Sequence, residues 1–173
     1  LCTLLGTSRL LGRLLDRIPG FLARLGDDWA LAAFRTREQL IEEAERRMTV
    51  RADPAERLQS LRRMVAATML WIAGRDLTGT ADERWVGSAL ANLADATAAA
   101  ALRHAVMTVG DAPPMAVIAM GKWGGGELNY ASDLDALLVY EPGDDPNRDA
   151  EAALRVASEF IGAVRAEPPT PGF

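Results

Sequence analysis

The sequence predicts an α+β protein that is mostly helical, in which a helical segment precedes a smaller unit of two strands and a helix. Apolar residues recur at helical spacing over the first two-thirds of the chain, between residues typical of helix starts and stops. The period changes after Pro113-Pro114, where two short apolar runs flank a glycine-rich turn. We therefore divide the chain into a helical segment, residues 1–112, and a second domain, residues 113–173.

Capping signals mark the first two predicted helices. Ser8 is a typical N-cap, and Pro19-Gly20 is expected to end the helix that follows it. Thr36 and Gln39 have the spacing of a capping box, in which each side chain bonds the backbone N–H of the other. The apolar face of this second helix is predicted to hold Ile41, Ala44 and Met48.

The third helix has the clearest start. Asp53 is a capping residue, and Pro54 follows at the first helical position, where its missing N–H costs nothing. We expect this helix to end near Gly79. Its predicted apolar stripe consists of Leu58, Leu61, Val65, Met69 and Ile72.

An alanine-rich helix should follow. Thr80 and Glu83 again have capping-box spacing, and the helical pattern continues to about Val109, with Gly110 as the stop. His104, the only histidine, lies late in this helix, and no second His or Cys stands at metal-ligand spacing from it. We interpret His104 as a structural residue.

The second domain begins with a continuous apolar run, Met115–Met120, as expected for a strand buried on both faces. A second strand is predicted over Asp133–Tyr140. Because side chains alternate faces along a strand, Asp133 and Asp135 should project together while Leu134 turns into the core. A final helix is expected over 149–165, with Leu154, Ala157, Ile161 and Val164 facing inward.

Composition excludes several classes of protein. Nearly half of the 173 residues are apolar, which indicates a globular chain, and the formal net charge of −5 disfavours a nucleic-acid partner. The single cysteine, Cys2, excludes an intramolecular disulfide and is typical of a cytoplasmic protein. No apolar run reaches membrane-spanning length, and the start of the chain has no signal-peptide pattern. We expect no nucleic-acid and no membrane partner.

The stretch from Met115 to Tyr140 is the most informative for function. Two of its carboxylates, Asp133 and Asp135, follow a glycine turn between the two predicted strands. Oxygen ligands of this kind suit hard divalent cations, and a glycine turn suits close approach of a phosphate chain. The combination indicates nucleotidyl transfer.

The motif also resembles a known signature. It reads Met-Gly-Lys-Trp-Gly-Gly-Gly-Glu-Leu-Asn-Tyr-Ala-Ser-Asp-Leu-Asp over residues 120–135. It is similar to the signature of the glutamine synthetase adenylyltransferase family, within the DNA polymerase β-like nucleotidyltransferases. Trp123 stands where that family more often has Leu, and its ring could pack internally or face a nucleotide base. Residues 4–8 and 72–77 also resemble segments of the family.

The resemblance implies a fold and an activity. The second domain would be a partial polymerase β-like nucleotidyltransferase core. The family transfers AMP from ATP to a tyrosine of glutamine synthetase, and a sister domain removes the AMP by phosphorolysis, which regulates nitrogen assimilation. The implied cofactor is Mg²⁺ or Mn²⁺, with ATP as substrate. The implied partners are glutamine synthetase and a nitrogen-signalling regulatory protein.

The resemblance also implies roles for individual residues. Asp133 and Asp135 would be the catalytic carboxylates that hold the metal ions. The glycines lack side chains, so their backbone N–H groups would approach the triphosphate closely. The serine hydroxyl would donate a hydrogen bond to phosphate, and the lysine ammonium would supply a positive charge. The residues expected to contact ATP in these ways are Gly124, Gly125, Ser132 and Lys122.

Alternatives stay open at this point. The superfamily places a third carboxylate on a later strand, and no matching segment occurs here, so we expect this chain to be inactive alone. One alternative is a regulatory fragment that binds a nucleotide or a partner without catalysis. Another is a different polymerase β-like nucleotidyltransferase, such as a nucleic-acid polymerase or an aminoglycoside-modifying enzyme. The direction of AMP transfer is also open, because both activities of the family share this motif.

Overall fold

A computed structural model describes residues 35–165, of which about two-thirds are helical, and this confirms the mostly helical α+β class. In chain order the elements are α1 (Arg37–Val50), α2 (Pro54–Leu77), α3 (Glu83–Val109), β1 (Met115–Ala119), α4 (Gly121–Gly124), β2 (Ala136–Tyr140) and α5 (Pro146–Arg165). None of the helices in 35–165 has both the length and the apolar composition needed to cross a bilayer. The helix predicted from Ser8 to Pro19-Gly20 lies outside the described residues.

The first two described helices begin as predicted. Thr36 Oγ1 accepts the Gln39 backbone N–H at 3.3 Å, and Gln39 Oε1 accepts the Thr36 N–H at 3.0 Å, which completes the capping box. Asp53 accepts the N–H groups of Ala55 and Glu56, with Pro54 at the first helical position. These caps satisfy donors that have no partner within the helix.

The predicted capping box at Thr80 and Glu83 is wrong. The N-cap of α3 is Asp82, whose carboxylate accepts the Trp85 backbone N–H at 2.7 Å. Thr80 instead belongs to the end of α2, where its N–H and its hydroxyl both donate to the Arg75 carbonyl. The end of α3 is as predicted, at Gly110 with a φ of 86°.

α3 lies at the centre of the fold and packs against α1, α2 and α5. Small side chains dominate its buried surface, so that neighbouring helices can approach its backbone. Its buried alanines are Ala89, Ala91, Ala94, Ala96, Ala98, Ala100, Ala101 and Ala105. On α2 the predicted stripe is buried or half-buried, and Met64 and Leu70 are buried in addition because that helix packs on more than one side.

The inward face predicted for the last helix is wrong in part. Leu154 is 71% exposed and Ile161 is 42% exposed, whereas the buried residues are Ala152, Ala153, Val156, Phe160 and Ala163. The alanine surface of α3 accepts alanines at close approach, and this decides which side of α5 is buried. α5 also begins earlier than predicted, at Pro146, because Asp145 caps it through the Arg148 N–H.

The two strands pair antiparallel, with Met115 opposite Tyr140 and Ala119 opposite Ala136. The sheet contacts the helices on one face only, so the predicted burial of β1 on both faces is wrong. Its outward row is apolar and exposed, and consists of Ala116, Ile118, Leu137 and Val139. Leu134, predicted to be in the core, is 39% exposed, because it precedes β2 and lies beyond the part of the sheet that the helices cover.

His104 is a buried titratable group between helices. It is 3% exposed on α3, and its Nδ1 has no hydrogen-bond partner within the described part of the chain. Burial, followed by the charges of Arg57 and Arg62, lowers the pKa of His104, while Glu159 on α5 acts in the opposite direction. The neutral imidazole is therefore the form that the fold favours.

This environment predicts a pH-dependent stability. Since the pKa of His104 is lower in the folded than in the unfolded chain, its contribution is complete above about pH 6.5 and is lost as the pH falls. The slope within that window is at most about 1.4 kcal/mol per pH unit. We expect urea unfolding of the His104→Leu variant to show a flatter dependence than the parent as the pH falls below about 6.5. Equal slopes would contradict this account.

Candidate active site

The connection from β1 to β2 forms a compact turn around the short helix α4. Several of its amide groups are bonded inside the turn. Gly124 N–H donates to Met120 O and Gly125 N–H to Gly121 O, both at 3.0 Å. Glu127 N–H donates to Lys122 O at 2.8 Å. The amides of Gly124 and Gly125 are therefore already bonded to carbonyls of the same turn.

At two positions in this turn a side chain is excluded by neighbouring protein atoms, so glycine is favoured there without any ligand. A Cβ on Gly124 would lie 2.6 Å from the Ala119 carbonyl oxygen, a distance that real Cβ atoms do not reach. A Cβ on Gly121, whose φ is 53°, would lie 3.1 Å from Asp135 Oδ2. The absence of a side chain at Gly121 thus lets the Asp135 carboxylate lie against the start of α4.

The predicted carboxylates both lie at the surface. Asp133 and Asp135 are exposed and precede β2 instead of beginning it, so the predicted strand is three residues too long at this end. The Asp135 carbonyl accepts the Met120 N–H at 2.8 Å, which continues the strand pairing by one position. Alternation from Leu137 places Asp135 on the outward row of the sheet. Within residues 35–165, no group of three or more His, Cys, Asp or Glu could hold a metal ion.

Ser132 and Lys122 both belong to the connection between β1 and β2. The Ser132 hydroxyl accepts the Asn129 N–H at 3.0 Å, which leaves the hydroxyl proton for another acceptor. Its own N–H donates to Asn129 O, and Asn129 Oδ1 accepts the Ala131 N–H, so this part of the loop is a tight polar turn. Lys122 is exposed on α4.

The sequence interpretation missed the residues that attach the loop to the helices. Trp123 is 5% exposed, and its Nε1–H donates to Asp95 Oδ1 on α3 at 2.8 Å. The other oxygen of Asp95 accepts from Arg37 at the start of α1. The ring of Trp123 is therefore inside the protein and does not face a nucleotide base. In the sequence, the only local indication of the bond to Asp95 is that a buried tryptophan N–H usually needs an acceptor.

A second attachment occurs at Tyr130. Its hydroxyl donates to Asp76 Oδ2 in the last turn of α2 at 3.0 Å, and its ring packs on a cluster around Leu70. Burial, followed by the hydrogen bond to Asp76, raises the pKa of Tyr130, so this hydroxyl stays protonated and donates. Between these bonds, Gly87 on α3 lies against the loop backbone, where a Cβ would be 3.3 Å from atoms of residues 126–128.

Comparison with known proteins adds a family. A family model described as glutamate-ammonia ligase adenylyltransferase matches residues 1–164. A bifunctional glutamine synthetase adenylyltransferase/adenylyl-removing enzyme of Streptomyces avermitilis is 43% identical over 81% of this chain. Enzymes of the same name from Streptomyces coelicolor and Cutibacterium acnes are 38% identical over 88% and 34% identical over 97% of it. The chain spans only 14%, 16% and 17% of the lengths of these three relatives.

The geometry of the turn predicts a difference between two adjacent glycines. Gly124→Ala places a Cβ against the Ala119 carbonyl, whereas Gly125→Ala meets its nearest atom at 3.4 Å, an ordinary contact. We expect Gly124→Ala to lower the free energy of unfolding by about 1–3 kcal/mol, as overpacking does, and Gly125→Ala to leave it nearly unchanged. Urea unfolding of the two variants measures this. Equal effects would mean that Ala119 does not limit the turn.

Proposed function

Because the chain belongs to the glutamate-ammonia ligase adenylyltransferase family, we propose that it forms part of the ATP-binding site of an enzyme that adenylylates a tyrosine of glutamine synthetase. The same site could serve the adenylyl-removing reaction, since the relatives are named for both activities. The observation that carries the proposal is the exposed pair Asp133 and Asp135 beside the glycine turn. Its cellular role would be the regulation of nitrogen assimilation in the cytoplasm.

The two carboxylates fit a magnesium or manganese site by their chemistry. They are oxygen donors, they are exposed, and Gly121 leaves the space beside Asp135 Oδ2 without a side chain. A divalent cation held by Asp133 and Asp135 would neutralise phosphate charge and orient ATP for in-line transfer of AMP. Further ligands would have to come from ATP, from water or from another part of the enzyme, since residues 35–165 offer no third carboxylate nearby.

The triphosphate would be bound mainly by side chains. The Lys122 ammonium is exposed on the turn, and the Ser132 hydroxyl has a proton to donate. Gly124 and Gly125 are both exposed, so their bare backbone permits close approach, although their amides donate within the turn. In this proposal Lys122 supplies positive charge to the triphosphate, Ser132 donates a hydrogen bond to it, and the two glycines leave space for it.

One alternative has a specific observation in its favour. The described residues hold no cluster of three metal-ligating side chains, which is compatible with a fragment that binds a partner or a nucleotide without catalysis. Glutamine synthetase would be the partner of the whole enzyme, and a nitrogen-signalling protein its regulator. A nucleic-acid or membrane partner has less support, because the net charge is −5.

Calorimetric titration with ATP separates these functions. With Mg²⁺ present we expect the chain to bind ATP, and we expect the Asp133→Asn/Asp135→Asn variant to bind it at least about tenfold more weakly, since a carboxylate holds the cation far better than an amide. Asp144→Asn, an exposed carboxylate in the connection before α5, is the matched control and should bind as the parent does. Omitting Mg²⁺ should weaken the parent but change the double variant little.

The outcome that supports the alternative is distinct. If the parent binds ATP with the same affinity as the Asp133→Asn/Asp135→Asn variant, with and without Mg²⁺, the carboxylates hold no cation. The chain would then be a binding fragment, and the proposal for these residues would be wrong.

Lys122 permits a direct test of phosphate contact, because it is the only lysine in the sequence. An amine-reactive acetylating reagent should modify it readily in the free chain, since it is exposed. We expect ATP with Mg²⁺ to slow this modification by roughly threefold or more, because an ammonium bound to phosphate is less available. Mass spectrometry of the peptide around Lys122 measures the rate. Protection that persists in the Asp133→Asn/Asp135→Asn variant would contradict a shared site.

A further inference from the structure

The loop between β1 and β2 alternates between two kinds of residue. Most of those proposed to meet the nucleotide are exposed, among them Lys122, Asp133 and Asp135. Between them lie Trp123 and Tyr130, whose polar groups donate into the helical part of the protein. We call these two donors and their acceptors, Asp95 and Asp76, the loop anchors.

Each anchor joins the loop to a different helix. Trp123 Nε1–H donates to Asp95 on α3, and the same carboxylate accepts from Arg37 on α1. The Tyr130 hydroxyl donates to Asp76 on α2. Both acceptors are carboxylates, so both hydrogen bonds belong to the stronger, charge-assisted class. The two aromatic donors thus attach the loop to α3 and α2, and Arg37 links α1 to the first of these bonds through Asp95.

Packing between the anchors also restrains the loop. Gly87 on α3 lies against the backbone of residues 126–128, and Leu128 is buried in the main core. A contact this close admits only small displacements of the backbone. With both ends bonded and the middle packed, the helices determine where the exposed residues of the loop stand.

We propose that Trp123 and Tyr130 are positioning residues, which hold the loop in the form that receives ATP through their bonds to Asp95 and Asp76. The inference rests on the proposed function, because it gives these residues a role at that same site. Holding the reacting groups in place before binding saves the cost of ordering them in the complex. Neither side chain touches the nucleotide itself.

The test uses variants that keep the rings and remove the donors. Trp123→Phe removes the indole N–H, and Tyr130→Phe removes the hydroxyl. Tyr140→Phe is the matched control, since Tyr140 ends β2 at the end of the sheet farthest from the loop. Hydrogen–deuterium exchange of backbone amides is the first readout. We expect exchange in residues 121–132 to become about tenfold faster in both loop variants, and to stay unchanged in α3 and in the control.

ATP affinity with Mg²⁺ is the second readout. Loss of one charge-assisted bond should weaken binding by about tenfold in each loop variant, with the control unaffected. Asp95→Asn retains a carbonyl that accepts from Trp123, so it should bind ATP more tightly than Asp95→Ala does. Asp95→Ala combined with Trp123→Phe should weaken binding no more than Asp95→Ala alone, because Asp95→Ala already removes the bond that Trp123→Phe breaks.

The outcomes separate the two claims. Failure of the parent chain to bind ATP with Mg²⁺ overturns the proposed function and, with it, the role of the anchors at that site. If the parent binds ATP and both loop variants bind it equally well, the positioning role is overturned and the proposed function stands. Faster exchange spread evenly over all helices also overturns it, because the two bonds would then support the whole fold and not the loop.

Discussion

The alanine surface of α3 is the constraint on which the rest of the structure depends. α1, α2 and α5 all pack against this helix, and the distance between two helices is set by the side chains at their contact. Gly87 also allows the loop to approach α3 closely. Because Gly87 has no Cβ, the backbone of residues 126–128 can lie directly on this helix. A two-stranded sheet is marginal by itself, so the candidate site is positioned mainly by helices.

Local signals predicted those parts of the fold that local interactions determine. The capping box at Thr36, the Asp53-Pro54 start and the stop at Gly110 each involve groups a few residues apart, and all three are confirmed. The capping box predicted at Thr80 is wrong although its signal was of the same kind, because the Thr80 hydroxyl donates to the Arg75 carbonyl at the end of α2. The inward face of α5 failed for another reason: apolar residues occur on two sides of that helix, and only the packing against α3 decides between them.

In the candidate site, too, the sequence predicts local features but not contacts between distant residues. The spacing of Asp133 and Asp135 after a glycine turn is visible in the sequence, and their exposure agrees with a role at the surface. Their metal and phosphate contacts stay predictions. The loop anchors could not be predicted, since Trp123 and Asp95 are 28 residues apart, and Tyr130 and Asp76 are 54 apart. No pattern of period or capping connects side chains at such separations, and only the folded helices bring them together.

The hydrogen bonds within the turn change the role that can be assigned to its glycines. A glycine-rich loop often binds phosphate through free amides, but here the amides of Gly124 and Gly125 donate to Met120 and Gly121. Gly124 is required by the Ala119 carbonyl whether or not a ligand is present. These two amides are therefore not available to a triphosphate, and among the side chains of this turn Lys122 alone is cationic. A single exposed ion pair contributes little in water, so ATP binding here should depend more on cations held at Asp133 and Asp135 than on Lys122.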